Sequence, residues 1–210
     1  PSAASPELVK VAQTFLRRTS LLIEPRKKWP AGGLDAYGLR GTIPEAQRAE
    51  EGRALCRWGD AGWGALVKAG KYDDGRFADD LVEASVELIS EWAPAPAPEW
   101  VTCVPSRRHP NLVPDFAARL AEALGLPFQG ALQMVETRPL QKTRKNAVMQ
   151  ARNLDGALEA DEALIQPTPV LLVDDVVDSR WTLTLCAWLL RRHGSGTVWP
   201  FTLGVSGAGA

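Results

Sequence analysis

Two periods of apolar residues alternate along this chain. Leu8, Ala12, Phe15 and Leu16 recur at helical spacing behind Ser5-Pro6-Glu7, a cap residue, a proline and an acid that start a helix well. Leu21, Leu22 and Ile23 form a short apolar run that reads as a strand. Thr42-Ile43-Pro44-Glu45 fits a capping box and predicts a helix to about Leu55, broken by WGDAGWG. From Phe77, residues Leu81, Ala84, Leu88 and Trp92 keep one helical face apolar, and PAPAP follows as a stiff connector. Beyond it the periods alternate. Residues 100–104 read as a buried strand, and Phe116, Leu120 and Leu124 as a helix closed by Gly125. Residues 131–135 read as another strand, and residues 170–173 as an apolar one. A helix then runs through Leu190 to Gly194, before a last strand over 197–205. Pro200 predicts an edge or bulge for that strand. Alternating strands and helices predict an α/β fold, a mostly parallel central sheet flanked by helices. The Gly-rich stretch 31–41 suggests a boundary between a helical N-terminal extension, residues 1–45, and a domain over 46–210.

The 210 residues, 45% hydrophobic and 23% charged, suit one domain plus an extension and need no staples to build a core. A net charge of −1 removes any global pull toward nucleic acid or acidic membranes. Cys56, Cys103 and Cys186 are far apart and odd in number, which predicts reduced core residues. The chain opens with no signal peptide and has no apolar stretch near the ~20 residues of a membrane span, so a cytoplasmic location without a membrane partner is expected. Its first residue is proline, which hints at excision from a longer protein.

Candidate chemistry concentrates at VLLVDDVVDSRWTLT, residues 170–184. In open α/β sheets ligands sit beyond the carboxyl ends of strands, where this pattern puts Asp174 and Asp175. The turn from Asp178 through Ser179, Arg180, Trp181 and Thr182 leads into a helix, whose first N–H groups favour an anion such as phosphate. Carboxylates beside a phosphate would repel it unless they grip something else, and sugar hydroxyls or Mg²⁺ would serve. A sugar phosphate satisfies both halves.

The same stretch resembles the phosphoribosyl pyrophosphate (PRPP) signature of type I phosphoribosyltransferases: four apolar residues, two acids, two apolar residues, then a Ser/Thr phosphate loop. The remainder, from WGDAGWGALVKAGKYDDGRFADDLV through WVTCVPSRRHPNLVPDFAARLAEALGLPF and TRPLQKTRKNAVMQARNLDGAL, is similar to ComF-type proteins. It is more similar still to the phosphoribosyltransferase-like C-terminal domain of some bacterial RecQ-type DNA helicases. The resemblance implies that Asp174 and Asp175 contact ribose hydroxyls and that residues 178–182 hold the 5′-phosphate. Asp178 becomes a candidate general base. Ser106, Arg107 and Arg108 map onto a pyrophosphate-binding loop. Residues 141–153, with Lys142, Arg144 and Lys145, map onto a segment that covers the site. Mg²⁺ would accompany PRPP, and a nitrogen base would attack the ribose carbon as pyrophosphate departs. Family members are often dimers, so a homodimer is expected. One position departs from the family: its loop glycine is Arg180 here. A positive φ would strain arginine, whereas its guanidinium could add a bond to the phosphate.

Two functions stay open at this point. One is binding of PRPP or a nucleoside monophosphate with Mg²⁺, extending to phosphoribosyl transfer. The other is a non-catalytic accessory module of a RecQ-type helicase, a nucleotide sensor or a surface for DNA or a partner. Arg26, Lys27 and Lys28 are candidates for DNA phosphates, and Trp58 and Trp63 for a partner surface. A strand ending in two acids also fits a Walker B strand, but the matching phosphate loop is missing: residues 64–71 have the wrong glycine spacing, and Tyr72 stands where a hydroxyl residue belongs.

Overall fold

A computed structural model describes residues 5–135 and 151–206. Five strands form the main sheet in the order β1 (Leu21–Ile23), β2 (Gly52–Arg57), β7 (Val198–Val205), β6 (Val170–Val177) and β3 (Trp100–Cys103). All neighbours are parallel except β1, which runs antiparallel to β2. A separate two-stranded sheet pairs β4 (Leu132–Met134) with β5 (Leu158–Ala160).

The uninterrupted apolar run of β6 follows from burial on both faces. Val170 and Leu172 face one core, Leu171 and Val173 the other. The first core is closed by α5 (Trp181–Arg192), the second by α2 (Gly64–Ala69), α3 (Asp79–Trp92) and α4 (Leu112–Leu124). Ile23, Trp29, Leu34, Leu39 and Ile43 all pack into the α5-side core. There Trp29 and Tyr37 set their rings edge-on to Trp188, at 6.1 and 6.2 Å. The first helix, α1 (Pro6–Arg17), is capped by the Ser5 hydroxyl as its sequence predicts, yet buries no residue.

Two sequence expectations fail. The capping box at Thr42 starts no long helix: residues Glu45–Gln47 make one 3₁₀ turn, and Gly52–Arg57 is a strand. Ala54, Leu55 and Cys56 are all buried, so β2 lies between the two helical layers, and this tertiary burial overrides the local helix signal. Pro200 also does not mark an edge, because β7 has β2 on one side and β6 on the other. The proline sits near the start of the strand, where it forgoes only one ladder donor. Gly52 lies against it so closely that an added Cβ would stand 2.4 Å from the Pro200 carbonyl oxygen. The three cysteines are buried and unpaired, as expected. Burial pushes the Cys56 and Cys103 thiols up to about 12. No helix among the described residues is long and apolar enough to cross a membrane.

Candidate active site

The carboxyl ends of β3 and β6 lie side by side, with Cys103 opposite Val173, and the Val104 N–H donates to the Val173 carbonyl at 2.9 Å. The loop after β3, with Ser106, Arg107 and Arg108, therefore leaves the sheet beside Asp174. Arg107 donates to the Val135 carbonyl at 2.7 Å, which ties this loop to the end of β4, while Arg108 is exposed. The Ser106 hydroxyl accepts from the His109 N–H at 3.3 Å. Lys142, Arg144 and Lys145 lie outside the described residues.

Asp174 and Asp175 are consecutive near the end of β6, where the alternation of faces shifts: Val176 packs with Leu171 and Val173, and Val177 with Val170 and Leu172. Asp174 falls on the α5 side. Burial, then the charge of Asp175, hold its carboxyl well above the usual carboxylate range, although the Asp175 N–H donates to its Oδ1 at 2.8 Å and Lys71 opposes the rise. Its proximity also helps to push up the Cys186 thiol, for which burial is the larger cause. Asp175 falls on the α2 side and is 9% exposed. Its Oδ1 accepts from the Val176 N–H at 2.6 Å, and its Oδ2 pairs with Lys71 Nζ at 2.8 Å. Lys71 comes from a π-helical turn, Gly70–Asp74, that continues α2. Its ammonium lies 5.9 Å from the Trp58 ring, which meets Tyr72 edge-on.

The turn after β6 carries the positive φ that the glycine of the related motif would allow. Arg180 has φ 67° and ψ −2°, left-handed, and acts as the N-cap residue of α5. Its side chain makes no capping bond. Thr184 returns both its N–H and its hydroxyl to the Arg180 carbonyl, at 2.9 and 2.8 Å. Ser179 and Thr182, half-buried, thus stand at the helix start, where the Arg180 side chain makes no capping bond, and Asp178 is exposed on the same turn. The Arg180 guanidinium is engaged elsewhere: its Nη1 donates to the Glu24 carbonyl at 3.1 Å and lies 3.9 Å from the Glu24 carboxylate. Buried Trp181 Nε1 and Arg180 Nε have no hydrogen-bond partner.

Two residues of this site were not assigned to it from sequence. Arg26, read there as a candidate for DNA, donates Nε to the Ser179 carbonyl at 2.9 Å and stacks 3.8 Å over the Trp181 ring. Burial, then the neighbouring Arg180 charge, lower its guanidinium from the ordinary arginine value. Segment 24–26 and the turn 178–180 therefore hold each other. Lys71 was legible only as part of a failed phosphate-loop match. Trp63, read as a candidate partner surface, instead donates Nε1 to the Arg17 carbonyl at 3.1 Å and carries the Arg17 guanidinium 4.3 Å above its ring, which fastens α1.

An apolar recess of ≈ 300 Å³ opens beside Ser106, lined by Cys103, Pro105, Phe128 and Met134 among others. A larger one, ≈ 370 Å³, lies between the end of α1, β2 and α3 and includes none of the acid-pair or phosphate-turn residues. The acid pair makes a poor direct seat for Mg²⁺. An octahedral ion needs several free oxygens converging on one point. Here three of the four carboxylate oxygens already have partners, one of them the Lys71 ammonium. Among the described residues no group of three or more His, Cys, Asp or Glu could hold a metal.

No protein-family model matches the chain, and no curated protein matches it. Among solved structures, an adenine phosphoribosyltransferase shares 15% identity over 62% of this chain and 69% of its own, with a TM-score of 0.44. The adenine phosphoribosyltransferase of Leishmania tarentolae shares 16% over 62% and 71%, with a TM-score of 0.40. An allosteric regulatory enzyme of purine biosynthesis shares 22% over 55% of this chain, with a TM-score of 0.41, and this chain spans only 23% of that enzyme.

Proposed function

We propose that this chain is a phosphoribosyltransferase-like domain that binds the ribose phosphate of PRPP or a nucleoside monophosphate. The observation behind the reading is the meeting, at the carboxyl edge of one parallel sheet, of an acid pair that ends a strand and the start of the twelve-residue helix α5. Ser179, Thr182 and the first N–H groups of α5 would hold the 5′-phosphate. Asp174 and Asp175 would face the ribose hydroxyls, and Ser106 and Arg108 would meet the pyrophosphate. Transfer would use the same seat. The ribose carbon gains positive charge as its bond to pyrophosphate breaks, and a nitrogen base bonds to it from the opposite side. Asp178 would take the proton of the incoming base where it carries one. The protein's part is positioning and electrostatics.

A second reading, an accessory module of a RecQ-type helicase without turnover, draws on two observations. Arg180 closes onto Glu24 rather than onto the phosphate position. The α1 helix leaves Leu8, Val11 and Phe15 exposed, at 64%, 66% and 69%.

Calorimetric titration with PRPP tests the proposal, beside an Asp174→Asn/Asp175→Asn variant whose fold is checked by circular dichroism. Micromolar binding that the variant loses supports the site. Pyrophosphate release with any nucleobase then selects the transfer reading, and binding without release selects the accessory one. No heat at millimolar PRPP would sink both ribose-phosphate readings.

A further inference from the structure

The acid pair of β6 already has a cation, and it belongs to the protein. Lys71 Nζ sits 2.8 Å from Asp175 Oδ2, with the two side chains only 20% and 12% exposed. The other Asp175 oxygen takes the Val176 N–H at 2.6 Å, and Asp174 Oδ1 takes the Asp175 N–H at 2.8 Å. Lys71 is held from two sides, by the carboxylate and by the Trp58 face, and its backbone lies in a short turn between α2 and the left-handed Gly75. An ammonium fixed in this way, little exposed and in a medium of low effective dielectric, satisfies Asp175 more fully than a surface lysine would.

We propose that Lys71 is the resident counter-cation of the acid pair, taking the place that a divalent ion would need, so that the protein itself binds its ribose phosphate without seating a metal on Asp174 or Asp175. Lys71 is thus a positioning residue. It holds Asp175 in one orientation beside Asp174. A divalent ion at Asp175 would have to evict the ammonium and leave two like charges packed together. Magnesium arriving chelated to pyrophosphate belongs to the substrate and needs no such eviction. The identity of the ligand rests on the function proposed above, whereas the claim about the cation does not.

The test therefore has one arm free of any sugar phosphate. Mn²⁺ alone is titrated into the wild-type chain and into Lys71→Ala, with uptake read by electron paramagnetic resonance. Lys71→Gln serves should the alanine variant not fold. The expected result is no uptake by the wild type at millimolar Mn²⁺, and uptake at least about ten-fold tighter by the Lys71 variant, since an opposing charge in contact range has been removed. Adding Asp175→Asn to that variant should abolish the gain. Wild-type uptake lost in Asp175→Asn overturns the proposal, and so does a Lys71 variant that takes up no Mn²⁺. In the second arm, ribose 5-phosphate is titrated with EDTA and with Mg²⁺. Equal affinity supports the proposal, and binding that needs Mg²⁺ overturns it. Absence of binding in both conditions counts against the ribose-phosphate function, and the first arm still decides the cation.

Discussion

Arg180 is one of two non-glycine residues among those described with positive φ, at 67°. For an L-residue that conformation costs roughly 1–2 kcal/mol, because Cβ crowds the carbonyl. Replacing Arg180 by glycine relieves this, and replacing it by alanine does not. Both variants lose the same guanidinium contacts, the bond to the Glu24 carbonyl and the long charge pair with its exposed carboxylate. Comparing the two variants therefore isolates the backbone term. Glycine gives back about 0.5–1 kcal/mol through the greater freedom of its unfolded chain. Arg180→Gly should thus exceed Arg180→Ala in stability by about 0.5–1 kcal/mol, or about 1–4 °C in Tm for a chain of this size. Urea unfolding followed by tryptophan fluorescence, with equal slopes required of both variants, measures the difference. An alanine variant as stable as the glycine variant would refute the idea that this turn is strained.

Two further outcomes concern the neighbours of that turn. Asp174 has its carboxyl raised by burial, so the folded state holds the proton more tightly than the unfolded chain does. This group's stabilising contribution is complete below the ordinary aspartate range and is lost as pH rises toward the folded value. Asp174→Asn should therefore flatten the decline of stability above about pH 4 and be the more stable form at neutral pH, as thermal melts across pH would show. Arg26→Ala removes a charge-assisted bond to the Ser179 carbonyl and a cation–π contact with Trp181. It should destabilise the fold by about 2 kcal/mol and weaken ribose 5-phosphate binding, with Arg26→Lys recovering little of either because lysine cannot both donate and stack. Denaturant titration and calorimetry measure the two effects, and an alanine variant with wild-type values for both would contradict the mutual hold of segment 24–26 and the turn 178–180.

The alternation of periods after residue 100 was enough to read the parallel sheet, because strands buried on both faces and helices buried on one leave different marks in the order of apolar residues. The placement of Asp174 and Asp175 at the end of a strand, and of residues 178–180 before a helix, was legible for a related reason: the apolar run stops and the helical period starts there. The misreadings share a cause. At Thr42 a local capping pattern was overruled by the place of β2 in the sheet. At Pro200 a rule about ladder donors met a strand whose neighbour, Gly52, makes room for the ring. Arg26 and Lys71 lie 153 and 104 positions from the residues they bond, Ser179 and Asp175, and neither carries a periodic or motif signal that would announce the pairing.

The strand order bears on how the chain is made. β2 is complete by residue 57, yet its parallel neighbour is β7, residues 198–205; β3 is complete by 103 and waits for β6 at 170–177. During vectorial synthesis the antiparallel β1–β2 pair can form early, but the parallel sheet cannot close until β6 and β7 have left the ribosome. Until then β2 and β3 present open edges of apolar strand, the kind of surface that pairs with the wrong partner. The schedule of translation thus makes β6 and β7 the strands whose delay or loss exposes the most, with slow, non-local closure expected of their pairing.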